Sequence, residues 1–132
     1  MMLKDLRVLF VDDDFRVREV VSEVLQRVGA RVELAASAAE GMAAFEAFKP
    51  DVILCDLAMP VEDGYSFIRR LRIREAARGL PRLLTPAMAL TAHATVNDRR
   101  RSLAAGFQAH VAKPIDIDGL RAAVLSLSAL ML

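Results

Sequence analysis

Residues 6–14 read Leu-Arg-Val-Leu-Phe-Val-Asp-Asp-Asp, a short apolar run that ends in three carboxylates. A nearly continuous apolar run is typical of a strand that is buried on both faces of its sheet. Apolar residues at helical spacing follow the aspartates, and Gly29 ends that pattern. The stretch therefore predicts a buried strand followed by an amphipathic helix, which is the repeating unit of a parallel α/β sheet.

The same alternation continues along the rest of the chain. The predicted strands span Leu6–Val11, Arg31–Ala35, Asp51–Asp56, Ala87–Leu90 and Phe107–Ala112. The predicted helices run from Val17 to Val28, from an N-cap at Ser37 to about Phe48, from Tyr65 to about Ala77, from Val96 to Ala105, and from Ile117 or Asp118 to the end, with a loop over Gly79–Pro86. This order predicts a single α/β domain over residues 1–132, in which helices sandwich a doubly wound parallel sheet with right-handed crossovers.

Composition narrows the classes of partner. The chain has 132 residues, a hydrophobic fraction of 55% and a formal net charge of +1, so no charge excess favours direct binding of nucleic acid or of a membrane surface. The longest apolar stretch, Ala122–Leu132, is too short to cross a bilayer. The single cysteine, Cys55, cannot form an internal disulfide and is interpreted as a small core residue. Since the first residues also lack a signal-peptide pattern, we expect a cytoplasmic protein.

Polar side chains follow the predicted strands at one edge of the sheet, where ligands of parallel α/β folds bind. They are Asp12, Asp13 and Asp14 after the first strand, Asp56 at the end of the third, Thr91 after the fourth, and Lys113 after the fifth. Crowded carboxylates repel one another, and this repulsion is relieved by a hard divalent cation such as Mg²⁺. A carboxylate can also attack phosphorus to form an aspartyl phosphate. The oxygens of the transferring phosphoryl group carry negative charge, which Mg²⁺, Lys113 and the Thr91 hydroxyl could together neutralise. Asp14 is interpreted instead as a charge at a helix N-terminus.

Four separated motifs, in this order, resemble the receiver domain of bacterial response regulators. They are Val11–Asp14, Asp56–Pro60 with Asp63-Gly64, Leu90–Ala92 and Lys113-Pro114. The resemblance implies a flavodoxin-like strand order of 2-1-3-4-5. It also implies that Asp56 accepts a phosphoryl group from a histidine kinase or a histidine phosphotransfer protein. Mg²⁺ would be bound directly by Asp13, through water by Asp12, and by Asp56 and the backbone carbonyl of Ala58.

The resemblance also implies a switch. Thr91 would move to hydrogen-bond the phosphoryl group, Lys113 would pair with it, and the Lys113–Pro114 bond is commonly cis in such domains. Partner binding, including a homodimer contact, would use the last two helices and the fifth strand. His110 stands where these domains usually carry Tyr or Phe, and the sequence leaves open whether it is a switch element or a satisfied half-buried side chain.

Other interpretations remain open at the level of sequence. Taken singly, each aspartate at a strand end could be merely solvated, and His93 is either a surface residue or a residue that admits water. The run Arg99–Arg101 is either a solvated helix face or a docking patch for an acidic partner. The alternative to a phosphorylated receiver is an interaction module with the same fold that phosphorylation does not regulate. An aspartyl phosphatase would need an acidic residue where Ala58 stands, so we predict a signalling module that is not an enzyme. The stretches Ala92–Ala94 and Lys113–Asp116 most resemble receivers attached to hybrid sensor kinases.

Overall fold

The computed structural model describes residues 3–78, 84–92, 95–113 and 116–131. Its strands are β1 (Arg7–Val11), β2 (Arg31–Ala35), β3 (Val52–Asp56), β4 (Ala87–Thr91) and β5 (Ala109–Ala112). Its helices are α1 (Phe15–Arg27), α2 (Ala38–Phe48), α3 (Gly64–Ala77), α4 (Val96–Ala105) and α5 (Ile117–Ser128), and a short 3₁₀ turn covers Ala129–Met131. Every predicted strand and helix is present, although several ends shift by one or two residues. The last helix, predicted to continue to the end of the chain, stops at Ser128 and gives way to the 3₁₀ turn. Of the predicted loop Gly79–Pro86, residues 79–83 lie outside the described residues, and residues 84–86 have no regular structure.

The sheet is parallel throughout, and its strands lie in the order β2-β1-β3-β4-β5, as the resemblance implied. The register between β1 and β3 runs from Val8 opposite Val52 to Val11 opposite Cys55. This pairing brings the residues that follow both strands to the same edge. All five residues of β3 and all five of β4 are buried, which explains the continuous apolar runs in the sequence.

The core has one layer on each side of the sheet. Alternate residues of β1 point to opposite layers, so Leu9 packs among residues of α2, α3 and α4, while Phe10 packs among residues of α1 and α5. Cys55 is fully buried in the first of these layers, as predicted for a small core side chain. Because side chains pack closely against both faces of the central strands, the backbone that carries the groups at the strand ends has little freedom to move.

Side-chain caps fix where the helices begin after the strands. The Oδ1 atom of Asp14 accepts hydrogen bonds from the backbone N–H groups of Arg16 at 2.9 Å and Val17 at 3.3 Å. This confirms the interpretation of Asp14 as a helix N-terminal charge. Gly29 adopts a φ of 98° just after α1, which confirms it as the stop of that helix.

Candidate functional site at the carboxyl edge of the sheet

Three aspartates form a cluster at the carboxyl ends of β1 and β3. Asp12, Asp13 and Asp56 each offer a carboxylate oxygen, and these oxygens lie within 4.8 Å of one another. Asp12 is fully buried and Asp56 is 5% exposed, whereas Asp13 is open to solvent. The cluster therefore has two buried members and one exposed member, and its position agrees with the convergence of strand ends that the sequence predicted.

The backbone fixes the orientation of the two buried carboxylates. The Oδ1 atom of Asp12 accepts a hydrogen bond from the N–H of Asp14 at 2.9 Å, in a local turn. The Oδ1 atom of Asp56 accepts one from the N–H of Ala58 at 3.3 Å. Arg18 of α1 fixes the backbone of the turn after β1, because its Nη1 donates to the carbonyl oxygen of Asp12 at 2.7 Å. Both carboxylates are thus aimed before any ligand arrives.

Lys113 bridges the two buried carboxylates. Its Nζ lies 2.9 Å from Oδ2 of Asp12 and 3.3 Å from Oδ1 of Asp56. The backbone N–H of Lys113 donates to the carbonyl oxygen of Thr91 at 2.6 Å, so β4 and β5 together position the ammonium. The lysine predicted from the end of the fifth strand therefore reaches the carboxylates that follow β1 and β3, although β4 lies between β3 and β5.

The electrostatics of the site follow from burial and crowding. Burial, and next the charge of Asp12, raise the pKa of Asp56, and the charge of Lys113 and the N–H of Ala58 offset this only in part. Burial lowers the pKa of Lys113, but its hydrogen bond and charge interaction with Asp12, together with Asp56, outweigh burial and leave that pKa raised. The site is therefore short of positive charge, and an added cation would favour the ionised form of Asp56.

The remaining predicted residues surround this centre. Thr91 is buried at the end of β4, opposite Ala112 of β5, at the same edge as Asp56. Ala58 is exposed two residues after Asp56 and shares a cavity with Thr91. The predictions for His93 and for a cis bond before Pro114 lie outside the described residues.

His110 is half-buried on β5 and points toward α4. Its Nδ1 lies 3.2 Å from the Oγ of Ser102, whose hydroxyl also donates to the carbonyl oxygen of Arg99 at 2.9 Å. Which of the two atoms donates depends on the tautomer of the imidazole. Ser102 is fully buried but is not among the predicted site residues. Its signal in the sequence is a lone polar residue at an inward position of a short amphipathic helix.

Gly64 permits the close approach of α3 to the site. A Cβ at this position would lie 2.6 Å from the carbonyl oxygen of Asp56 and 2.9 Å from the Cα of Leu57. Both are backbone atoms, so relieving the clash would require the main chain after β3 to shift. We expect Gly64→Ala to lower the free energy of unfolding by about 1–3 kcal/mol, the usual cost of overpacking, as measured by urea denaturation. Gly119→Ala, in the first turn of α5, is the matched control, since Ala is favoured over Gly in helices. Equal stability of the Gly64 variant and the parent would contradict the close approach.

A family model described as response regulator receiver domain matches residues 8–125. The chain belongs to the receiver domain family. It is therefore a receiver domain of two-component signalling systems, and its acidic pocket fits the phosphoacceptor site of such domains. Among solved structures, this receiver resembles the Vibrio cholerae chemotaxis protein CheY4 with a TM-score of 0.85 and 29% sequence identity, over 93% of this chain and 98% of that one.

Curated relatives of this receiver include both short and long proteins. An uncharacterized 14.6 kDa protein of Leptolyngbya boryana is 37% identical over 86% of this chain and 83% of its own length. Hybrid signal transduction histidine kinase D of Dictyostelium discoideum is 34% identical over 96% of this chain, which spans 8% of the kinase. Response regulator Rre1 of Synechocystis is 35% identical over 97% of this chain, which spans 54% of that protein. In the part of the receiver that the structure describes, no helix has both the length and the apolarity needed to cross a bilayer.

Proposed function

We propose that this receiver accepts a phosphoryl group on Asp56 from the phosphohistidine of a histidine kinase or a histidine phosphotransfer protein in the cytoplasm. The observation that carries the proposal is the carboxylate cluster with Lys113 Nζ within 3.3 Å of Asp56 Oδ1. A carboxylate that is aimed, partly protected and next to a fixed ammonium suits nucleophilic attack on phosphorus.

The donor set of the cluster fits Mg²⁺. Its side-chain donors, from Asp12, Asp13 and Asp56, are all carboxylate oxygens, the type that this hard ion prefers. Asp13 would bind the ion directly, Asp12 would act through water, and Asp56 and the backbone carbonyl of Ala58 would complete the protein ligands. When bound, the ion would neutralise charge on the transferring phosphoryl oxygens.

The chain's own residues have separate tasks in the proposed transfer. A carboxylate oxygen of Asp56 forms the new P–O bond while the P–N bond to the donor imidazole breaks. Lys113 then pairs with the transferred group, and the Thr91 hydroxyl donates a hydrogen bond to it. A shift of Thr91 would be passed to β5 and α4, where His110 is already hydrogen-bonded to Ser102, and would alter partner binding at the face of α4, β5 and α5.

Labelling by a small phosphodonor tests the proposed function. We expect incubation with acetyl phosphate and Mg²⁺ to add the mass of one phosphoryl group to the intact protein, and excess EDTA to prevent the addition. Intact-mass spectrometry measures both results. A chain that stays unlabelled with Mg²⁺, or that is labelled equally in EDTA, would contradict the proposal and favour an interaction module that phosphorylation does not regulate.

A further inference from the structure

A cavity of about 370 Å³ lies between α3 and α4, and Leu57 and Ala58, the two residues that follow Asp56 in the chain, line part of it. Ala58 and Thr91, which belong to the proposed phosphorylation site, form one part of its lining. Tyr65 of α3 with Asp98 and Arg101 of α4 form another part. A molecule in this cavity therefore lies against residues of the proposed phosphorylation site and against side chains of α4 at the same time.

Arg101 is held in place on the cavity wall. Its guanidinium carbon lies 4.0 Å from the centroid of the Tyr65 ring, a stacking distance at which a cation is attracted to the ring face. Tyr65 is itself 7% exposed and packs in the core layer of α2, α3 and α4, so the ring is a fixed support. An exposed arginine on a rigid ring loses less freedom on binding an anion than one on an unsupported stem.

The charges at the site give Arg101 a role. Three carboxylates, Lys113 and a bound divalent cation sum to zero, so the loaded centre has no excess positive charge with which to attract a dianionic phosphoryl group. Arg101 adds one positive charge on the wall of the approach. Asp98 adds a negative one on the same wall, where its carboxylate accepts a hydrogen bond from the Thr95 hydroxyl at 2.7 Å.

We propose that the cavity between α3 and α4 receives the phosphoryl group of the donor, and that Arg101, supported by Tyr65, is the donor-binding cation that sets how fast anionic phosphodonors reach Asp56. This inference rests on the proposed function. The ligand class is a dianionic phosphoryl group on an activated leaving group, either an acyl phosphate or a phosphohistidine. With an acyl phosphate, the P–O bond to the acyl oxygen breaks as the P–O bond to Asp56 forms, and a carboxylate leaves.

The test compares two substitutions with the same charge change on one helix. Arg101→Gln is expected to lower the second-order rate constant for labelling by acetyl phosphate about three- to tenfold at low ionic strength, since the effect is electrostatic steering. Arg100→Gln is the matched control, because Arg100 is exposed on α4 but is turned by about 100° from Arg101 and does not line the cavity. Asp98→Asn is expected to change the rate in the opposite direction, and added salt should shrink both effects.

The outcomes separate this inference from the proposed function. No labelling of the parent protein would contradict the proposed function itself. Normal labelling of the parent with equal rates for Arg101→Gln and Arg100→Gln would overturn the role of Arg101. Slower labelling that persists unchanged at saturating donor and at high salt would also overturn it, because a structural defect, unlike steering, does not depend on donor concentration or salt.

Discussion

Asp56→Asn is expected to abolish labelling by acetyl phosphate and by any phosphohistidine donor. The amide has the shape of the carboxylate, and its oxygen can still accept the hydrogen bond from the N–H of Ala58. It is not a nucleophile toward phosphorus, so the chemistry is lost while the site is kept. Intact-mass spectrometry after incubation with donor and Mg²⁺ gives the result directly.

Asp14→Asn is the matched control for this substitution. It removes one negative charge from the same edge of the sheet, and asparagine caps helices as well as aspartate does. We expect this variant to be labelled like the parent. Labelling of Asp56→Asn at the parent's rate would place the acceptor elsewhere and contradict the proposal.

Asp56→Asn is also expected to raise the free energy of unfolding in metal-free buffer at neutral pH. The pKa of Asp56 is raised in the folded protein, so the folded state binds the proton of the Asp56 carboxyl group more tightly than the unfolded state does. Stability is then lost as pH rises from the ordinary carboxyl range through the folded pKa, and the lost part stays lost above it. Asparagine does not titrate, so Asp56→Asn should unfold at a higher urea concentration than the parent at pH 7, and the difference should shrink in acid.

Asp13→Ala is expected to weaken Mg²⁺ binding by at least about tenfold, since the loss of even an indirect partner of a metal site commonly costs about that much. Asp13 is the exposed member of the cluster, so its removal opens no cavity in the core. Asp12, Asp56 and Lys113 would remain in place. The loss should therefore appear in metal affinity and in labelling rate, with little change in the stability of the metal-free protein.

Calorimetric titration with Mg²⁺ measures the affinity, and the rise of the unfolding midpoint with Mg²⁺ concentration checks it independently. Asp118→Asn removes an equal charge from the exposed start of α5 and serves as the control. If both variants bound Mg²⁺ with the parent's affinity, the direct role of Asp13 would be wrong. If both weakened it equally, the effect would be one of net charge, not of ligation.

Most of the fold could be predicted because the strands that decide it are buried on both faces. Continuous apolar runs located β1, β3 and β4, and their order implied parallel pairing. The ends were less accurate for local reasons. Phe15 begins α1 but is 62% exposed, so it adds nothing to the apolar stripe from which the helix was predicted. The apolar pattern places Phe107 in a strand, but its N–H donates to the carbonyl oxygen of Ser102 and closes the turn that follows α4.

The centre of the site could be predicted for a similar reason. Parallel strands end at one edge, so the residues that follow them meet, and the geometry of Asp12, Asp56 and Lys113 confirms that they do. The contacts between Ser102 and His110 and between Arg101 and Tyr65 could not be predicted in this way. They depend on how α4 is rotated against its neighbours, and that rotation is set by packing of the whole domain.

The hydrogen bond between Lys113 and Asp12 joins positions that are 101 residues apart in the chain. Closing so long a loop carries a large entropic cost, and sheets assembled from such distant segments form slowly compared with helical bundles. The ammonium reaches its carboxylates only when β5 stands in the same sheet as β1, β3 and β4. A nascent or partly unfolded chain therefore lacks the complete centre, and signalling competence is confined to molecules that have finished folding.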